Sequence, residues 1–104
     1  MPEFSQRSDT VPDMTHAVVL IKAERRALST LGDRLADVDG VSEAYSVTGE
    51  WDYVAIVRVG EHDELADLVT ARLSRLDGIE RTYTMVAFQV FSKHDLEAMF
   101  SIGA

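Results

Sequence analysis

Between Ser46 and Val57 the chain reads SVTGEWDYVAIV, and its middle concentrates more chemistry than a loop requires. Gly49 suffices for a tight turn, because glycine accepts the positive φ that hairpin tips demand. A turn does not also need a tryptophan with an acid on each side. Yet Glu50, Trp51 and Asp52 follow directly. Either the tip is only a turn or it holds something. Taken alone, each residue has a local explanation. Asp52 can bond backbone amides of its own turn, a common role for aspartate. Trp51 can be a packing or interface residue. Thr82 and Thr84, further along, can simply be good strand formers.

The remaining reactive side chains form no constellation. His16, His62 and His94 are scattered over a strand start, a loop and a terminal segment, with no metal-binding spacing. There is no cysteine, hence no disulfide framework and no thiolate metal site. No serine has a nearby base partner, and no glycine-rich loop precedes a helix. Asp33, Asp37, Asp63 and Asp67 follow helix surfaces and read as solvated faces. Arg25 and Arg26 make too short a basic spot for nucleic acid. The residues therefore predict no catalytic group, no metal and no cofactor.

Composition narrows the class. A chain of 104 residues with 46% hydrophobic content suits one globular domain. Ten basic against eighteen acidic residues give a net charge of −8, which argues against direct nucleic-acid binding. No apolar run approaches the ~20 residues of a membrane span, and nothing resembles a signal peptide. The expectation is a soluble cytoplasmic protein with neither membrane nor nucleic acid as a direct partner.

These residues need elements to position them. Residues 1–15 hold both prolines and little apolar periodicity, so they read as a mobile tail. Ala17–Ala23 is a β-branched apolar run that reads as a strand covered on both faces. Leu28, Leu31, Leu35 and Val38 recur at helical spacing, ended by Gly40. Val41–Val47 and Tyr53–Val59 read as strands flanking the tip. Leu65, Leu68, Val69, Leu73 and Leu76 trace a second helix closed by Gly78, with Glu61, Asp63 and Glu64 suiting its N-terminal dipole. Ile79–Phe91 reads as a long last strand. Leu96, Met99 and Phe100 suggest a short helix within a C-terminal extension, residues 93–104.

The order β-α-β-β-α-β has an internal echo. LADVDGVSEAY (Leu35–Tyr45) matches LSRLDGIERTY (Leu73–Tyr83) at a constant offset of 38 residues. Two βαβ-like halves predict an α+β ferredoxin-like fold, a four-stranded antiparallel sheet with both helices on one face. In the last strand Val86, Phe88 and Val90 alternate with Tyr83, Met85, Ala87 and Phe91, so both sheet faces are largely apolar. A bare apolar face of that size is a liability unless covered. A second copy covers it best, which predicts a sheet-to-sheet homodimer.

The segments AVVLIKA, VDGVSEAYSVTGEWDYVAIVRV and LSRLDGIERTYTMVAF resemble the effector-sensing (RAM) domain of the leucine-responsive/asparagine-responsive (Lrp/AsnC) regulators, from His16 to about residue 92. Most specific is TG-x-[WYF]-DY after a DGV-x-x-AY strand, present here in full. Full-length members carry an N-terminal helix-turn-helix domain. Only residues 1–15 precede the first strand here, which predicts a stand-alone sensing domain. The resemblance implies an amino-acid effector bound where dimers meet, by Thr48, Gly49, Trp51, Asp52, Thr82 and Thr84. Asp52 would meet the ammonium group, amides near Gly49 the carboxylate, and Trp51 would wall the pocket or pack on the neighbouring dimer. It implies tetramers or octamers of dimers and a full-length relative as partner. Two other classes stand beside this one. Dimeric chains of this fold also serve as cofactor-free monooxygenases, and a ligand-free interaction module fits as well. The aliphatic character of the positions between sheet and helices disfavours catalysis.

Overall fold

The computed structural model describes residues 14–91. Most of the expected tail, and the helix expected around Leu96, lie outside the described residues. Four strands, β1 (Thr15–Ala23), β2 (Val41–Ser46), β3 (Tyr53–Val59) and β4 (Ile79–Ala87), pair antiparallel in the order β2-β3-β1-β4. A 3-10 turn at Arg25–Ala27 and helix α1 (Leu31–Ala36) join β1 to β2. Helix α2 (His62–Asp67) follows β3 and runs on through a π-helical stretch, Leu68–Arg72, and a 3-10 turn, Leu73–Arg75. This is the ferredoxin-like arrangement.

One core lies between the sheet and the helices. Ala17, Val19, Ile21 and Ala23 of β1 and Tyr53, Ala55, Val57 and Val59 of β3 are buried, and Leu31, Leu35, Leu65, Leu68 and Leu73 close over them. The π-helical widening has a local cause. Thr70 Oγ1 donates to the Ala66 carbonyl at 2.7 Å, and Ser74 Oγ donates to Thr70 O at 2.7 Å. Hydroxyls returning to carbonyls one turn back loosen a helix at that point.

The echo in the sequence is also an echo in space. Gly40 and Gly78, 38 residues apart, take φ of +99° and +102° at the ends of the two helical segments. Arg72 Nη1 donates to Asp39 O at 2.8 Å, beside Gly40. Its counterpart at the same offset, Arg34, lies beside Gly78. Each helix thus sends an arginine to the other half's Asp-Gly turn. Arg26 completes the second turn with a forked pair to Asp77, at 2.8 and 3.1 Å, which holds the Asp77 carboxyl below its usual range.

Several expected boundaries move. β1 begins at Thr15, pairing with Val59, so the expected tail loses its last residue to the sheet. β4 stops at Ala87, because its partner β1 offers His16 as the final pairing position. Phe88, Val90 and Phe91 are exposed beyond it, rather than alternating within a strand. Leu28 is not a core position. The chain winds as a 3-10 turn there, which buries Ala27 and leaves Leu28 44% exposed.

Gly78 yields a stability prediction. A Cβ there would approach the Ala27 Cβ to 2.4 Å, whereas one at Gly49 would meet nothing within 4 Å, although both residues have positive φ. Gly49→Ala should cost about 1–2 kcal/mol, the left-handed penalty alone. Gly78→Ala should cost about 2–5 kcal/mol, because overpacking adds to it. Equal losses of Tm in the two variants would contradict this packing.

Candidate functional site

Along β1 the buried residues alternate with half-exposed Val18, Leu20 and Lys22, so this strand is covered on one face within the chain and not on both. Register places Val54, Ile56, Tyr83 and Met85 on that same open face. Tyr45 joins them opposite Val54. Tyr83 is 56% exposed and Tyr45 49%. The face has an apolar centre and a polar rim. At one side of the rim Tyr45 donates to Glu43 at 2.9 Å, which raises the phenol above its ordinary pKa. At another, Lys22 stands directly opposite Arg81.

Like charges facing each other across strands repel. The tip of the β2–β3 hairpin answers that repulsion. Glu50 Oε2 lies 3.2 Å from Arg81 Nη2, while the Glu50 carbonyl accepts from Lys22 Nζ at 3.1 Å. Asp52 Oδ2 lies 3.8 Å from Lys22 Nζ. Between the acids, Trp51 spreads across the sheet. The Arg81 guanidinium carbon sits 4.9 Å from its ring centroid, and its ring centre is 6.4 Å from that of Tyr83. Cation–π attraction and tilted aromatic packing both favour this placement.

Asp52 has a second task. The Asp52 amide donates to Ile21 O at 2.9 Å, so the next β1 amide on that side is Ala23, beyond the start of β3. Asp52 Oδ2 accepts from the Ala23 amide at 2.8 Å and stands in for the missing backbone carbonyl. β4 is irregular at the same level: its register jumps from Arg81 to Ile79, leaving Glu80 unpaired. The aspartate thus bonds a backbone amide of the neighbouring strand, not of its own turn. No hydrogen bond to Oδ1 occurs among the described residues.

The six residues singled out in the sequence separate into two groups. Thr48, Gly49, Trp51 and Asp52 are together at the tip. Thr82 and Thr84 face Ile21 and Val19 in register, on the helix-covered side of the sheet. Thr82 lines a shallow groove of about 230 Å³ there, with Val69, Leu73, Ser74 and Ile79. The thickness of the sheet separates the two groups within one chain. Arg81 and Lys22 escaped the sequence reading, and Tyr83 was read there only as part of an apolar sheet face. Their signal was available only through register, which sets Arg81 opposite Lys22 and Tyr83 opposite Leu20. Among the described residues no group of three His, Cys, Asp or Glu could hold a metal ion. No helix among them is long and apolar enough to cross a membrane.

The family model described as "Lrp/AsnC ligand binding domain" matches residues 16–96. The chain belongs to this family. An uncharacterized HTH-type transcriptional regulator of Pyrococcus furiosus is 34% identical over 77 residues, covering 71% of this Lrp/AsnC chain and 51% of the relative. The chain spans about half the length of the curated relatives it matches. Among solved structures, TTHA0845 from Thermus thermophilus is 40% identical, with a TM-score of 0.70, over 76% of this chain and 99% of that one. A transcriptional regulator of Neisseria meningitidis, solved as a complex with L-Met, shares the fold at a TM-score of 0.70. It is 14% identical over 82% of this chain and 56% of its own.

Asp52 carries a prediction that separates shape from charge. Asp52→Ala strands the part-buried Ala23 amide and should cost about 1–3 kcal/mol. Asp52→Asn keeps an acceptor oxygen and should cost clearly less. Thermal unfolding should lower Tm by about 4–8 °C per kcal/mol for a domain of this size. An alanine variant as stable as the wild type would show that the amide finds another partner.

Proposed function

We propose that this chain is an amino-acid-sensing and oligomerisation domain that modulates transcription through ligand-dependent assembly. It would assemble with itself or with a full-length Lrp/AsnC relative. The observation that carries this reading is the family match over residues 16–96. The bound L-Met of the Neisseria regulator, a fold relative, is consistent with an effector of this class. The tip supplies suitable chemistry. Asp52 Oδ1 is the acceptor for an ammonium group, amides around Thr48 and Gly49 are donors for a carboxylate, and Trp51 is a flat apolar wall.

Assembly follows from exposed surface. The apolar centre of the open face, Val18, Leu20, Val54 and Ile56 with Tyr45, Tyr83 and Met85 around it, suits a second copy better than water. Because Thr82 and Thr84 lie across the sheet from the tip, a pocket using all six residues needs more than one copy. Tetramers or octamers of dimers provide that. The enzyme reading is weaker. Among the described residues the buried side chains are apolar except for the Tyr53 hydroxyl, which is engaged by the Leu28 carbonyl.

Two measurements test the proposal. Light scattering coupled to size exclusion should give at least a dimer, and a clean 11.5 kDa monomer at micromolar concentration would refute the assembly. A panel of L-amino acids should include one or more that raise Tm, since a ligand binding only the folded state stabilises it. For such a ligand, Asp52→Asn should weaken binding about tenfold to a hundredfold, the worth of a hydrogen bond to a charged group. Unchanged affinity would remove Asp52 from the site.

A further inference from the structure

We infer that Glu50 is a built-in competitor for ligand carboxylate: its side chain holds the Arg81 guanidinium that a bound carboxylate would take, and binding requires its release. This rests on the sensing function proposed above, adds Arg81 to the amides around Thr48 and Gly49 as a receiving group for the carboxylate, and names an internal gate for the site. The geometry supports it in three ways. First, Arg81 is presented rather than buried. Its side chain is 56% exposed, lies 4.9 Å from the Trp51 ring centroid, and projects at the rim of the open face beside the tip. Stacking leaves the edge of a guanidinium, where its N–H donors lie, free to meet an anion.

Second, the contact Glu50 makes is of a kind that exchanges easily. It is a single N–O approach of 3.2 Å, not a fork, and the Glu50 side chain is 71% exposed. Exposed pairs of this sort contribute little, and a carboxylate that reaches both guanidinium nitrogens binds better than one that reaches one. Arg26 and Asp77 show the tighter alternative in the same molecule, two bonds at 2.8 and 3.1 Å. Third, the local charge is balanced. Arg81 and Lys22 face Glu50 and Asp52, and Asp52 is committed to the Ala23 amide. Glu50 is the only acid of the two whose side chain can leave without opening the sheet. Its departure uncovers the Arg81 guanidinium, and an arriving carboxylate restores the balance.

Trp51 is the only tryptophan and touches Arg81, so its emission reads the exchange directly. Propionate would be titrated against chloride at matched ionic strength into the wild type, Glu50→Gln and Arg81→Gln. Propionate should change Trp51 emission in the wild type, and in Glu50→Gln at about two- to fivefold lower concentration, the worth of one exposed ion pair. Chloride should not reproduce the change, and Arg81→Gln should abolish it. Equal midpoints in the wild type and Glu50→Gln, a response that survives Arg81→Gln, or no response in any of the three overturns the inference. The amino-acid panel on the wild type is read separately by Tm. Failure there with a propionate response intact would refute sensing but leave the anion gate, and the converse would refute the gate alone.

Discussion

A strand cannot leave a part-buried amide unpaired without cost, and at Ala23 the central strand of this sheet outlasts its neighbour. The Asp52 carboxylate fills the vacant place. Much of the molecule's surface chemistry depends on that single bond. It fixes the entry to β3, and the bond from the Asp52 amide to Ile21 O fixes it a second time. With both ends of one residue held, the tip cannot swing away from the sheet. Trp51 is then carried across the end of β1 to β4, and Glu50 is delivered to Arg81.

The two faces of the sheet obey different constraints. The inner face is closed by leucines from two helical segments, and the Asp-Gly turns that end those segments are each met by an arginine from the other half. That reciprocity makes the inner side self-sufficient. The outer face has nothing of the kind. Its centre is apolar, yet within one chain Tyr45, Tyr83 and Met85 remain in contact with water. The two faces thus divide the labour within one chain: the inner face holds the fold, and the outer face stays exposed.

The fold was legible because its signals are periodic and local. Leucines at helical spacing, glycines at helix ends and the repeated Asp-Gly segments need no knowledge of neighbours. The errors share one origin. Leu28, the end of β4 and the coverage of β1 all depend on which residues lie alongside, and spacing along the chain does not contain that information. The same holds at the site. TGEWDY announced the tip, but the residues it grips, Lys22 and Arg81, sit 28 residues before and 31 after Glu50 in the sequence. The register of β1 against β4 brings them face to face, at the last regular pair before Glu80 is left out.

Register also changes what the tip's acids mean. From sequence, Glu50 and Asp52 flank Trp51 symmetrically and look equivalent. In the fold they differ in what their release would cost. Withdrawing Asp52 breaks a bond that the β1 backbone needs, so its charge is anchored by structure. Withdrawing the Glu50 side chain breaks no bond to the sheet backbone, and Lys22 stays held by the Glu50 carbonyl. A carboxylate that stabilises little where it sits, beside a cation that stays solvent-exposed and stacked on an aromatic ring, is poorly explained as a contribution to stability. It is better explained as an occupant that gives way.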